Sequence, residues 1–148
     1  VAISSGGSGA GAFTADAEVN GGSTDTVTDH IDTSGVQNPA PEAVYQSERW
    51  GEFTYHLGGF TANGTYTVRL HFAETYFKSP GQRIFNVFIN GQQVLTNFDI
   101  VAAVGAPDKA IVQTFTTTAD GSGMITIEYH NGSQNNAKSS GIEVFPAG

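Results

Sequence analysis

Cysteine is absent from this 148-residue chain, which removes disulfides, thiolate metal ligands and thiol nucleophiles from consideration. Charge is scarce too: only 14% of residues are Asp, Glu, Lys or Arg, and the 6 basic residues are outnumbered by 14 acidic ones. The resulting net charge of −8 excludes nucleic acid and anionic membrane as natural partners, since both select basic faces. No apolar run reaches membrane-spanning length, and Val1-Ala2-Ile3-Ser4 has neither the basic nor the apolar region of a secretory leader. The chain also lacks a Gly-x-Ser-x-Gly elbow, a His-Glu-x-x-His pair and a phosphate-binding glycine loop. A neutral partner is expected, and the chain reads as an excised module or mature form.

What fills the space left by charge is Ser, Thr, Asn, Gln and Gly, a polar but uncharged surface that suits a secreted, extracellular β-rich domain. The length, residues 1–148, is that of one domain with a core large enough to need no covalent staples. Apolar residues alternate with polar ones, and no segment carries a helical stripe. Strands are expected near Gly11–Val19, Glu52–Gly58, Thr65–Glu74, Arg83–Asn90, Gln93–Phe98, Lys109–Thr118, Met124–Tyr129 and Gly141–Phe145. Asn90-Gly91 between two of them has the two residues that readily take the positive φ angles of a type I′ hairpin turn. Asp99–Asp108 reads as one or two helical turns ended by Gly105 and Pro107. The Gly/Ser-rich stretch Ser4–Gly11 reads as a turn within the domain. The fold class that follows is all-β: a jelly-roll β-sandwich of two antiparallel sheets with little helix.

Tyr76 and Phe77 depart from this pattern. The run Tyr66 to Phe72 alternates cleanly, yet the two rings lie beyond it and are followed by Lys78-Ser79-Pro80-Gly81, which places them in a loop. Flat apolar rings in loops are more often contact surfaces than packing elements, and pyranose C–H faces lie against such rings while amide and carboxylate side chains meet the hydroxyls. Trp50, the only tryptophan, follows Glu48-Arg49 and precedes Gly51, a context for a strand's first residues or a loop rather than a core run. Asn131-Gly132-Ser133-Gln134-Asn135-Asn136 reads as a solvated turn that offers amides; His56, His71 and His130 read as satisfied strand residues. Asn63-Gly64-Thr65 and Asn131-Gly132-Ser133 match the N-glycosylation pattern while also reading as turns.

Four ordered motifs, Tyr45-Gln46-Ser47-Glu48-Arg49-Trp50, Phe72-Ala73-Glu74-Thr75-Tyr76-Phe77, Phe85-Asn86-Val87-Phe88-Ile89-Asn90-Gly91 and Asn97-Phe98-Asp99-Ile100, resemble the malectin domain and the malectin-like carbohydrate-binding modules of bacterial extracellular proteins. The resemblance spans nearly the whole chain. It implies a galactose-binding-like sandwich that binds α-linked glucose disaccharides, or plant and microbial glycans. It further implies that Trp50 stands where the animal protein has a ligand-contacting Tyr, and that Tyr76 and Phe77 match an adjacent aromatic pair. A family carboxylate aligns with Asn135 or Asn136, a departure that replaces a pure acceptor with a group that also donates. His30 is the nearest counterpart of a further loop Tyr.

The expected function is therefore a non-catalytic carbohydrate-binding module, targeting a larger secreted protein to an oligosaccharide or polysaccharide. The site residues expected are Trp50, Tyr76, Phe77, Asn135, Asn136 and His30. A structural or protein-interaction sandwich is the alternative. A glycosidase would need two carboxylates at a set separation; Glu48 and Glu74 lie beside the aromatic loops, but a salt link or a hydrogen bond to backbone suits them better. No cofactor is expected, although Asp16, Asp25, Asp29 and Asp32 offer oxygens for a structural calcium ion.

Overall fold

A computed structural model describes residues 1–148. Its ten strands are β1 (Ala2–Ser4), β2 (Val19–Thr26), β3 (Ser47–Leu57), β4 (Thr65–Phe72), β5 (Ile84–Ile89), β6 (Gln92–Phe98), β7 (Ile111–Thr118), β8 (Ile125–Gln134), β9 (Lys138–Ser139) and β10 (Gly141–Pro146), with two single-turn helices, α1 (Glu42–Tyr45) and α2 (Ile100–Val104). One sheet of four strands runs β1-β10-β4-β7; the other, of six, runs β2-β3-β8-β5-β6, with β9 paired to β3. Neighbouring strands are antiparallel throughout, so the molecule is an all-β sandwich.

Alternation explains which faces meet. Tyr66, Val68, Leu70 and Phe72 of β4 point inward against Phe53, Tyr55 and Leu57 of β3, Phe85, Val87 and Ile89 of β5, and Ile125, Ile127 and Tyr129 of β8. A smaller cluster of Phe13, Ile31, Ala40, Val44, Tyr45, Ala73 and Ala110 closes one flank. The β5–β6 hairpin turns at Asn90 and Gly91, both at positive φ (49° and 78°), as the Asn-Gly pair implies. Asp99 caps α2 by accepting from Ala102 N at 3.1 Å, and Gly105 ends it at φ 92°.

Three expectations about strands are corrected. Residues 11–18 form turns and isolated bridges, and the strand is β2, starting at Val19. Apolar alternation could not reveal it, because β2 is a polar strand exposed along almost its whole length. β3 begins at Ser47, not Glu52, because its first half pairs with β2 and β9 before its second half meets β8; Trp50 therefore lies within a strand. β8 continues to Gln134, so Asn131-Gly132-Ser133 is strand rather than turn.

His71 lies between the second cluster and β10. Ala40 N donates to the Tyr45 hydroxyl, the hydroxyl donates to His71 Nδ1 at 2.8 Å, and His71 Nε2 donates to Glu143 Oε1 at 2.7 Å. Those partners fix a neutral imidazole in one tautomer. Burial lowers the imidazole pKa, against the upward pull of Glu143, and burial pushes the Tyr45 phenol up to about 12.

Candidate functional site

On the outer side of the six-stranded sheet a cavity of about 480 Å³ is lined by Thr24, Asp25, Glu48, Trp50, Tyr76, Phe77, Arg83, Asn135 and Asn136. Five of the six expected site residues share it. The sixth, His30, does not: its side chain is 86% exposed and its Nδ1 pairs with Glu42 at 2.7 Å, so its assignment from loop spacing placed it in the wrong segment.

Three chain segments build the cavity. The first is the β2–β3 pair, where Glu48 and Trp50, two residues apart, share one face and oppose Asp25 and Ser23 in register. A register shift between Gly21 and Ser23 sets Gly51 and Glu52 of β3 opposite the single residue Gly22 of β2, so β3 bulges just after Trp50. Gly51 takes the bulge's positive φ of 104°, and Gly22 opposite it, at φ 74°, leaves room that a Cβ would lack, since it would lie 2.7 Å from the Trp50 carbonyl oxygen. Trp50 is left 37% exposed.

The second segment is the loop after β4, which presents Tyr76 and Phe77. Tyr76 is 73% exposed, and its ring meets Phe77 edge-on, at 4.9 Å between centroids and 88° between planes. Buried Glu74 holds this loop, its Oε2 accepting from Tyr76 N at 3.2 Å and Phe77 N at 3.3 Å. Arg83 grips the same carboxylate through Nε (2.6 Å) and Nη2 (3.2 Å), with its guanidinium 5.1 Å from the Phe77 ring centroid.

The third segment is the β8–β9 connection. Arg83 reaches it as well, Nη1 donating to Asn136 O at 2.9 Å. Asn135, at φ 55°, donates from Nδ2 to Gln82 O at 2.6 Å, while Asn136 Oδ1 accepts from Asn131 Nδ2 at 3.3 Å. That leaves Asn135 Oδ1 and Asn136 Nδ2 without protein partners, one acceptor and one donor at the rim.

Beneath Glu48 lies Lys138, wholly buried. Its ammonium donates to Ala73 O at 2.6 Å and to Glu48 Oε1 at 3.2 Å, and Thr75 Oγ1 donates to the same oxygen at 3.1 Å. Burial depresses the Lys138 pKa, while Glu48 and Glu74 draw it up.

The arrangement can stack a flat ligand and hydrogen-bond its edges. It is poorly suited to hydrolysis, because Glu74 is committed to Arg83 and two backbone amides. Of the four aspartates, Asp16 accepts from Gly6 N, Arg49 and Tyr55, Asp32 from Ser34, and Asp25 lines the cavity. No group of three or more His, Cys, Asp or Glu side chains converges anywhere.

Thr24, Asp25 and Arg83 were not expected from sequence. The first two belong to the strand that alternation missed, and Arg83 was legible only as the first residue of a strand.

A family model described as Malectin domain matches residues 1–143. Malectin-B of Xenopus laevis is 37% identical over 70 residues, which cover 46% of this chain and 25% of that protein; malectin of Homo sapiens is 38% identical over 69, covering 46% and 24%. The chain thus spans about a quarter of the length of these relatives. Among solved structures, the ANX1 ectodomain of Arabidopsis thaliana superposes with a TM-score of 0.86 at 20% identity, covering 98% of this chain and 47% of that one. A chain in the complex of the plant peptide RALF23 with FER and LLG2 matches with a TM-score of 0.80 at 19% identity, covering 90% and 42%. Both structural likenesses concern the fold. The sequence relatives named are animal proteins rather than bacterial ones.

Proposed function

Because the chain belongs to the malectin domain family, whose members are binding domains rather than enzymes, we propose that it is a carbohydrate-binding module whose ligand occupies the ring-lined cavity. Trp50, Tyr76 and Phe77 stack against the C–H faces of a glucose-containing disaccharide unit or of a plant or microbial polysaccharide. Asn135 and Asn136 meet its hydroxyls and set its orientation. The module targets a larger secreted protein to its glycan, and works outside the cell. No helix is long and apolar enough to cross a membrane.

One observation carries this reading: three aromatic side chains from two separate stretches of the sequence converge on one hollow of about 480 Å³, with an unpartnered amide oxygen and an unpartnered amide nitrogen at its rim. Each well-packed ring is worth on the order of 1 kcal/mol, and a solvated ligand exchanges water hydrogen bonds for protein ones with little surplus. Affinity in the range of roughly micromolar to millimolar follows.

A second reading, a protein-interaction domain, draws support from the ectodomain fold neighbours, one of them in a peptide complex. Titrating maltose, nigerose, cello-, xylo- and galacto-oligosaccharides against Trp50 fluorescence separates the two. A saturable response lost in Tyr76→Ala supports the sugar; silence across the panel favours a protein partner.

A further inference from the structure

We propose that Glu48 is a ligand-binding residue, one of whose carboxylate oxygens accepts a hydrogen bond from a hydroxyl of the bound sugar. The proposal rests on the carbohydrate reading above and identifies the charged acceptor within that site. Glu48 shares a strand face with Trp50 and lines the same cavity, so the two are delivered together by one stretch of β3. Its two oxygens have different surroundings. Oε1 is held by Lys138 Nζ and Thr75 Oγ1. Oε2 has no protein partner, yet it is not sealed in: the unpartnered polar side-chain atoms enclosed by the protein are Asp108 Oδ1, the Tyr129 hydroxyl and Ser140 Oγ. Since Glu48 is only 6% exposed overall and borders the cavity, the cavity is the route by which a donor reaches Oε2.

A carboxylate oxygen in so confined a place needs a donor. Water supplies one in the free protein, and a sugar hydroxyl is of the right size and polarity to replace it. The wholly buried Lys138 balances the charge and fixes its position, so the acceptor is in place before the ligand arrives. Asp25, opposite Glu48 in register, is the other carboxylate of the cavity, but it is exposed and its hydrogen bonds compete with bulk water. The site therefore keeps a carboxylate acceptor even though Asn135 and Asn136 occupy the connection where the malectin resemblance puts one. That acceptor lies on the strand that carries the tryptophan.

The test uses the panel sugar giving the strongest Trp50 fluorescence response, together with its monodeoxy analogues. In the wild-type chain, deleting one hydroxyl should weaken binding about tenfold or more, the value of a hydrogen bond to a charged group. Glu48→Gln should weaken the parent sugar by a similar factor, and the sensitive deoxy analogue should then bind no worse than the parent. Because Glu48→Gln leaves Lys138 buried without its counter-charge, the double variant Glu48→Gln, Lys138→Met is measured beside it, with no charge left unpaired. Deoxy penalties that are the same in variant and wild type would overturn the proposal, as would a wild-type series in which no single hydroxyl costs more than about twofold. If the sugar binds and Tyr76→Ala weakens it while the Glu48 variants do not, the role of Glu48 alone fails. If no panel sugar responds, the carbohydrate reading falls and takes this inference with it.

Discussion

Two hollows of the molecule border different sheets and are made of different material. The one on the four-stranded side, about 670 Å³, is bordered by β4, β7 and β10 through Thr67, Arg69, Ile111, Val112 and Phe145, and it holds a single aromatic ring. Its prominent cation is already engaged: Arg69 donates to Glu143, to Asn38 O and to Gln37 O. The smaller hollow, about 480 Å³, has three rings, an amide oxygen and an amide nitrogen without protein partners, and a carboxylate oxygen likewise unpartnered. Size favours the first and chemistry the second. A recognition site needs groups left unsatisfied by the protein and held still for a ligand, and the six-stranded side sets such groups beside three rings. Its loops are braced from below by Arg83, Glu74 and Lys138, whereas the other hollow is a gap between strands and a loop tied by Arg69 to Gln37 O and Asn38 O.

The sharpest way to break this comparison is to remove the bracing. Glu48→Ala strands a wholly buried ammonium and should cost about 3–5 kcal/mol of stability, read from urea denaturation; Glu48→Gln with Lys138→Met should recover most of it. Arg83→Lys comes next. It gives up the two-pronged grip on Glu74 and the stacking on Phe77, so about 2 kcal/mol of stability should go and sugar binding should fall with it, whereas Arg69→Lys across the sandwich should leave sugar binding unchanged. Tyr76→Ala should lower affinity about tenfold with stability within about 0.5 kcal/mol of wild type, because that ring touches little but Phe77 and solvent. A loss of stability as large as the loss of binding would mean that Tyr76 is a packing residue.

Acid separates the two sides in a different way. The His71 imidazole has a folded pKa below its unfolded value near 6.5, so the unfolded chain binds more protons between the two values. Stability is full above about pH 6.5 and declines as pH falls below it. His71→Gln should flatten that decline in denaturation midpoints measured between about pH 7 and 5. Tyr45, Arg69 and Glu143 face the imidazole, and none of them lines the ring-bearing cavity. The smallest expected effect is that of Phe145→Ser, which should leave sugar affinity as it was; a marked loss would move the site to the other sheet.

How much of this was legible in the sequence depended on whether a feature was written locally. Alternation exposed β4 and β5 because one face of each is in the core, and Asn90-Gly91 exposed the β5–β6 hairpin because the turn needs those residues. The Tyr76-Phe77 pair stood out because it broke the alternation. β2 was hidden by its lack of a buried face, and with it went Asp25 and the fact that Trp50 sits within a paired strand. Arg83 and Lys138 were hidden for another reason: their partners, Glu74 and Asn136 for one and Glu48 and Ala73 for the other, are brought to them by the packing of loops from separate strands. His30 was misplaced because spacing in a loop says little about direction.

The measurement that addresses the central claim most directly is amide and side-chain NMR shift mapping of the wild-type chain titrated with the best-responding panel sugar. Saturable shifts should cluster at the Trp50 indole, at the backbone of Tyr76 and Phe77 and at the side-chain amides of Asn135 and Asn136. Shifts gathered instead around Arg69, Lys109 and Phe145 would contradict the assignment of the site to the six-stranded side.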